Sequence, residues 1–244
     1  MDEPQLSPTP QPKQRVFTVR TLFLPIVIIV AGFIVATAIY SVRIGAHIDK
    51  GSQAPEVVRP VSPEDHIIGN PSAPIVLVEY ADIDSEYSKK LQLIMEQLMT
   101  EYASGNKVAW VYRHFPVTTL HPNATKNAIA AECAASVSKP SIFFQFIDAM
   151  NTLAPGATAF NPNQYSTVVS QLQLPKEAFE TCLNTQKFEA RVHADYANAL
   201  ASGGTGSPYI ILLVQGQKPR QIQGALPYKA LKKILDDEIA KLPR

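Results

Sequence analysis

Residues 75–90 read Ile-Val-Leu-Val-Glu-Tyr-Ala-Asp-Ile-Asp-Ser-Glu-Tyr-Ser-Lys-Lys, and this stretch restricts the fold more than any other. The β-branched and apolar run, interrupted only by Glu79, has the continuous hydrophobicity of a strand buried on both faces. It ends in the acidic loop Asp82-Ile83-Asp84. From Ser85 the period changes, with Leu91, Ile94, Leu98 and Met99 on one helical side. Ser85 suits the N-cap of that helix, which runs to about Tyr102. A buried strand that feeds a helix N-terminus belongs to an α/β architecture, and such junctions often carry a fold's chemistry.

The residues that follow extend this unit. Ser104 and Gly105 stop the helix, and residues 107–114 (Lys-Val-Ala-Trp-Val-Tyr-Arg-His) read as a second strand. Strand, helix and strand in so short a span make a right-handed parallel βαβ unit. A helical block is expected next, with helices over residues 125–137, 141–153, 162–172, 175–185 and 187–202. Gly203, Gly204 and Gly206 then punctuate the chain ahead of Pro208. Residues 209–214 are strongly β-like, 216–219 turn, and 220–223 return as a short partner. Pro227 opens a final amphipathic helix with Leu231, Ile234 and Ile239 on its apolar side.

The N-terminal part is of a different kind. Residues 1–20 hold Pro4, Pro8, Pro10 and Pro12 without hydrophobic periodicity, which is the pattern of a disordered tail. Residues 21–42 contain no charged side chain, and about 22 residues of helix span roughly 33 Å, enough to cross a bilayer. A cleavable signal is the competing reading, because Ala36-Thr37-Ala38 fits a small-x-small site. The apolar run continues through Ile39, Tyr40 and Val42, however, which favours an uncleaved anchor. Lys13, Arg15 and Arg20 precede the span and Arg43 and Lys50 follow it, so an inside N-terminus and an extracytoplasmic domain are expected. Residues 43–64, with Pro55, Pro60 and Pro63, form a stiff linker. Residues 65–74 are a turn-rich lead-in to the first central strand.

Of the 244 residues, about 180 remain for one folded domain. A formal net charge of +1 gives no electrostatic footprint for nucleic acid. The two cysteines, Cys133 and Cys182, are too few for a zinc site.

Several local sequences give the chain a family likeness from about residue 65 to its end. They are Gly69-Asn70-Pro71 with Ala73-Pro74, Glu79-Tyr80-Ala81-Asp82, Tyr112-Arg113-His114-Phe115-Pro116 and Leu120-His121-Pro122. Further on come Ala131-Glu132-Cys133-Ala134, Thr205-Gly206-Ser207-Pro208 and Gly224-Ala225-Leu226-Pro227-Tyr228. In this order and spacing they make the chain resemble the DsbA-like thioredoxin-fold family, in its membrane-anchored branch. The resemblance implies an α/β thioredoxin fold over residues 65–244 with a helical insertion at about 118–203, preceded by one transmembrane helix.

The family's strand-to-helix loop carries a redox Cys-x-x-Cys pair. Here Ser85 and Ser88 stand at the matching positions, so both sulfurs are replaced by oxygens. A helix N-terminus can bring a thiol to its thiolate near neutrality, but it cannot do the same for a serine hydroxyl. Serine also exchanges no disulfide. Asp84 and Glu86 add negative charge that suits a plain helix N-terminus. No catalytic residue of the family's own reaction is therefore expected.

The resemblance further implies a cis bond before Pro208, with Ser207 and Pro208 bordering a groove where an extended peptide could pair along the backbone. Glu79 matches an acidic relay position; without a thiol to serve it is expected to be a partly buried carboxylate, hydrogen-bonded or raised in pKa. Glu79, Glu86, Tyr87, Ser207 and Pro208 make up the candidate binding groove. His114 and His121 take structural or rim roles, with no metal and no cofactor. Two cysteines in an exported domain usually pair, and the Glu-Cys-Ala context resembles members with an extra bridge, so a Cys133–Cys182 disulfide is expected.

The reading is a redox-inert module for an extended peptide or an extracytoplasmic protein, tethered to the cell membrane and binding no nucleic acid. Two enzymatic alternatives stand beside it. One is thiol-disulfide exchange through Cys133 and Cys182. The other is a glutathione-dependent transferase or isomerase using Ser85, as in the related kappa-class transferases.

Overall fold

The computed structural model describes residues 58–243. The tail, the apolar span and most of the linker lie outside the described residues. Among the described residues no helix is long and apolar enough to cross a membrane.

Strand β1 (His66–Gly69) precedes β2 (Ile75–Ala81), helix α1 (Glu86–Tyr102) and β3 (Val108–His114). The insertion then supplies α2 (Ala124–Ser136), α3 (Ile142–Leu153), α4 (Tyr165–Gln171), α5 (Lys176–Asn184) and α6 (Glu189–Ala201). Strands β4 (Tyr209–Val214) and β5 (Arg220–Gln223) and helix α7 (Tyr228–Ile239) close the domain. The sheet runs β1-β3-β2-β4-β5. β2 and β3 are parallel, while β1, β4 and β5 join antiparallel. The α/β thioredoxin architecture with a helical insertion is thus present.

β2 is central because its side chains feed both layers. Ile75, Leu77 and Ala81 enter the larger core with Leu91, Met95 and Leu98 of α1 and with Phe143 and Phe146 of α3. Val76, Val78 and Tyr80 enter a smaller core with Phe115, Ala199 of α6 and Tyr209. Each fully buried Leu or Ile in these layers contributes about 1.5–3 kcal/mol of transfer free energy.

Three local expectations are corrected. The lead-in read as turns contains β1, which pairs His66 with Tyr112 and Gly69 with Ala109. Its four residues are too few to show a period, and the strand is specified by pairing to β3. Gly69 ends it at φ +103°, where a Cβ would lie 2.7 Å from the Val108 carbonyl oxygen. The helix expected over 162–172 divides into a 3₁₀ turn (Pro162–Gln164) and α4, with the Asn161 side chain accepting from Asn163 N–H. The end of the linker is also part of the folded domain. Buried Arg113 donates to both carboxylate oxygens of Asp65 at 2.9 Å and to the carbonyls of Arg59 and Pro60. Arg59 reaches Asp195 of α6 at 2.7 Å.

A Cys133–Cys182 disulfide joins α2 to α5 with Cα atoms 5.7 Å apart. The expected pairing is therefore present, and it lies in the insertion.

Candidate functional site

The junction of β2 and α1 is built by short-range turns. Ser85 N–H donates to the Asp82 carbonyl at 3.1 Å, and Ser85 Oγ accepts a long hydrogen bond from Ser88 N–H at 3.4 Å. Ser85 thereby caps α1, as its position suggested. The peptide bond between Ser207 and Pro208 is cis. Ser207 Oγ accepts from Asp82 N–H at 2.6 Å and lies 2.9 Å from Ser88 Oγ. One hydroxyl therefore ties the turn ahead of β4 to both the loop and the helix. Ser85 and Ser88 are 6% and 3% exposed.

Two acidic side chains fix the loop from below. Asp82 Oδ1 accepts from Asp84 N–H, and Oδ2 accepts from Val117 N–H and faces His121 Nδ1 at 2.9 Å. Asp84 takes Phe160 N–H at 2.8 Å and the Asn127 amide at 2.8 and 3.1 Å. Burial raises the Asp84 pKa, with the Phe160 and Asn127 hydrogen bonds opposing that shift. Asp84, expected to complement a plain helix N-terminus with its charge, is fully buried and also attaches the insertion through Asn127 and Phe160. Lys89, also buried, donates to the Ala154 and Thr158 carbonyls at 2.5 and 2.6 Å. Burial lowers its pKa, and the charges of Asp84 and Asp82 work against that. Glu86 does lie at the helix opening, where it pairs with Lys90 at 2.5 Å.

Above the junction lies an open groove of about 460 Å³, bordered by Ser85, Glu86, Tyr87, Leu120, His121 and Ser207 among others. Tyr87 and Leu120 stand at its rim, 62% and 72% exposed, so the tyrosine lines the groove without filling it. Pro208 is buried behind Ser207 and does not border the opening.

Glu79 is placed differently from expectation. It is completely enclosed, borders no part of the groove, and neither carboxyl oxygen has a hydrogen-bond partner. Burial pushes its pKa to about 8, with nearby Glu96 adding to the shift. The Trp110 indole opposes it, although its N–H falls short of hydrogen-bond geometry. The Tyr112 hydroxyl, across the register from Glu79, is likewise unpartnered.

The two histidines, for which structural or rim roles are expected, lie in different surroundings. His114 faces Glu132 at 3.1 Å, and His66 and Arg191 meet the same carboxylate at 2.9 and 3.0 Å. The hydrogen bonds from His114 and His66 outweigh the burial that would raise Glu132, and its pKa is lowered. His121 borders the groove. Among the described residues no group of His, Cys, Asp and Glu could hold a metal ion.

Sequence reasoning missed the roles of Asp82, Lys89 and Asn127. An Asp-x-Asp loop before a helix looks like solvated surface, and the groups that bury it come from residues 117–160.

A family model described as "Thioredoxin" matches residues 61–237. The chain is 40% identical over 84 residues to the Na(+)/H(+) antiporter NhaA 1 of Mycobacterium sp. (strain KMS), a match spanning 34% of this chain and 13% of the antiporter. It therefore covers only a small part of that relative's length. Among solved structures, Wolbachia pipientis alpha-DsbA1 is similar with a TM-score of 0.62 and 20% identity, over 78% of this chain and 97% of that one. Oxidised BdbD from Bacillus subtilis gives 0.63 and 16%, over 75% and 97%. Fold, sheet order, cis turn and family match agree, and the chain belongs to the thioredoxin family, in the DsbA-like form of its fold.

Proposed function

We propose that this chain is a membrane-anchored, extracytoplasmic and redox-inert member of its family that binds an extended peptide or protein segment in the groove beside Ser207. The observation that carries this reading is the Ser88–Ser207 hydroxyl contact of 2.9 Å beneath an open groove of about 460 Å³. Where the resembled enzymes need a thiol pair facing the cis turn, this chain has two hydroxyls bonded into the scaffold, and serine cannot exchange electrons with a disulfide. The only cysteines are joined to each other within the insertion. Exposed Tyr87 and Leu120 at the rim offer apolar purchase, and the backbone ahead of Pro208 offers hydrogen bonds to an extended chain.

Binding is tested by calorimetry with unfolded, cysteine-free polypeptides. Wild type binds them, and Tyr87→Ala with Leu120→Ser weakens binding about tenfold or more. Equal binding by wild type and the double variant would remove the groove from the account. The anchor proposal rests on the uncharged run at residues 21–42. It predicts that the chain stays with membranes through alkaline carbonate washing and that external protease digests the domain in spheroplasts. Release by carbonate would refute the anchor.

A further inference from the structure

Beyond binding, the groove brings together three groups with a chemistry of their own. Asp82 closes β2, His121 lies in the segment after β3, and Ser85 opens α1. Asp82 Oδ2 lies 2.9 Å from His121 Nδ1, the Asp82 side chain is fully enclosed, and the His121 side chain is 20% exposed. Asp84 N–H and Val117 N–H grip the two oxygens of the same carboxylate and leave it no freedom to turn. A fixed carboxylate on Nδ1 selects the tautomer that donates from Nδ1, so Nε2 carries the lone pair. Nε2 makes no hydrogen bond to any described residue, and His121 borders the groove that Ser85 also borders. Ser85, 6% exposed, lies at the strand-to-helix junction, and it borders the groove with an ordinary backbone conformation. The N–H groups of Glu86 and Tyr87 open α1 and have no intrahelical acceptor, so they can receive a developing oxyanion.

We propose that this groove is a serine-dependent acyl-hydrolase centre for activated acyl esters. Ser85 is the nucleophile, His121 the general base and acid, and Asp82 the positioning residue. Ser85 Oγ attacks the acyl carbon while His121 Nε2 takes its proton. The carbon–oxygen bond to the leaving alcohol breaks, and His121 returns the proton to that alcohol, leaving an ester on Ser85. Water then attacks the ester as His121 accepts its proton. The bond between the acyl carbon and Ser85 Oγ breaks, His121 returns the proton to Oγ, and the carboxylic acid is released. The long 3.4 Å cap from Ser88 N–H to Ser85 Oγ gives way as the acyl group enters and Ser85 turns to His121. None of these steps needs a thiol.

The test treats the full-length chain in detergent micelles with a fluorophosphonate probe, maps the adduct by mass spectrometry, and follows hydrolysis of p-nitrophenyl acetate. The proposal expects one phosphonyl group, on Ser85, and ester turnover that is lost in Ser85→Ala. His121→Gln lowers turnover by about 100-fold or more. Asp82→Asn, which reverses the tautomer presented by His121, lowers kcat with KM unchanged. Ser170→Ala, on the exposed side of α4, keeps both activities. Circular dichroism establishes that each variant is folded, and the wild-type adduct is informative even where a variant is not. Absence of an adduct on Ser85 in wild type, or hydrolysis persisting in folded Ser85→Ala, overturns the proposal.

Discussion

Glu79 is a side chain whose titration is moved chiefly by burial, with the charge of Glu96 adding to the shift. With its pKa raised from the usual carboxylate range to about 8, it stays protonated at neutral pH in the folded chain and ionises when the chain unfolds. Between about pH 4.5 and 8 the folded state therefore binds the extra proton. Across that window Glu79 erodes stability by about 1.4 kcal/mol per pH unit as pH rises. Glu79→Gln should remove this slope, so that urea midpoints of wild type and variant converge near pH 5 and the variant is the more stable at pH 8; parallel curves would show that Glu79 is ionised in the fold. Ser207 is the opposite case, a small polar group with many obligations. Ser207→Ala leaves the Asp82 N–H and the Ser88 hydroxyl without their partner and should cost about 1–3 kcal/mol in thermal unfolding, whereas an unchanged melting temperature would deny the contact. Residue identity alone made the cap role of Ser85 and the reactivity limit of Ser88 legible, because both follow from local chemistry. The enclosure of Glu79 and the Asp82–His121 pair were not legible. They depend on which faces β2 and the insertion turn toward each other.

The elements with the strongest periodicity were read correctly, as was the short strand β5, whereas β1 was not. β2, α1 and β3 carry their pattern within themselves, while β1 is a strand only because β3 lies beside it. The attachment of the insertion to the groove is equally non-local. Asp84 and Lys89, five residues apart around the cap, hold Phe160, Ala154 and Thr158 and so fix one wall of the site. Asp84→Ala removes the acceptor for Phe160 N–H and the Asn127 amide and leaves Lys89 less compensated, at a cost of about 3 kcal/mol. Hydrogen exchange at Phe160 should accelerate in that variant, and protection equal to wild type would detach the loop from Asp84. Within the insertion, the α2–α5 disulfide closes a separation of 49 residues. Replacing both cysteines with serine should lower unfolding free energy by about 4 kcal/mol while leaving groove binding intact. Loss of binding at full stability would give the bridge a functional role instead.

At the scale of the whole molecule, two features set what the chain can do. An apolar N-terminal run, outside the described residues, is the basis of the proposed membrane tether, and the folded domain has the groove beside a cis turn. The architecture was legible in the sequence because strand, helix, insertion and hairpin follow one another in a single order. What the groove does was less legible, since a replaced cysteine states only which chemistry has gone. Redox inertness at the serine pair is the central claim, and insulin reduction by dithiothreitol measures it most directly. The full-length wild type should add nothing to the uncatalysed rate, and Ser85→Cys with Ser88→Cys should introduce turnover on the same scaffold. Catalysis by wild type that disappears on replacing Cys133 and Cys182 would contradict the claim and move the chemistry to the insertion.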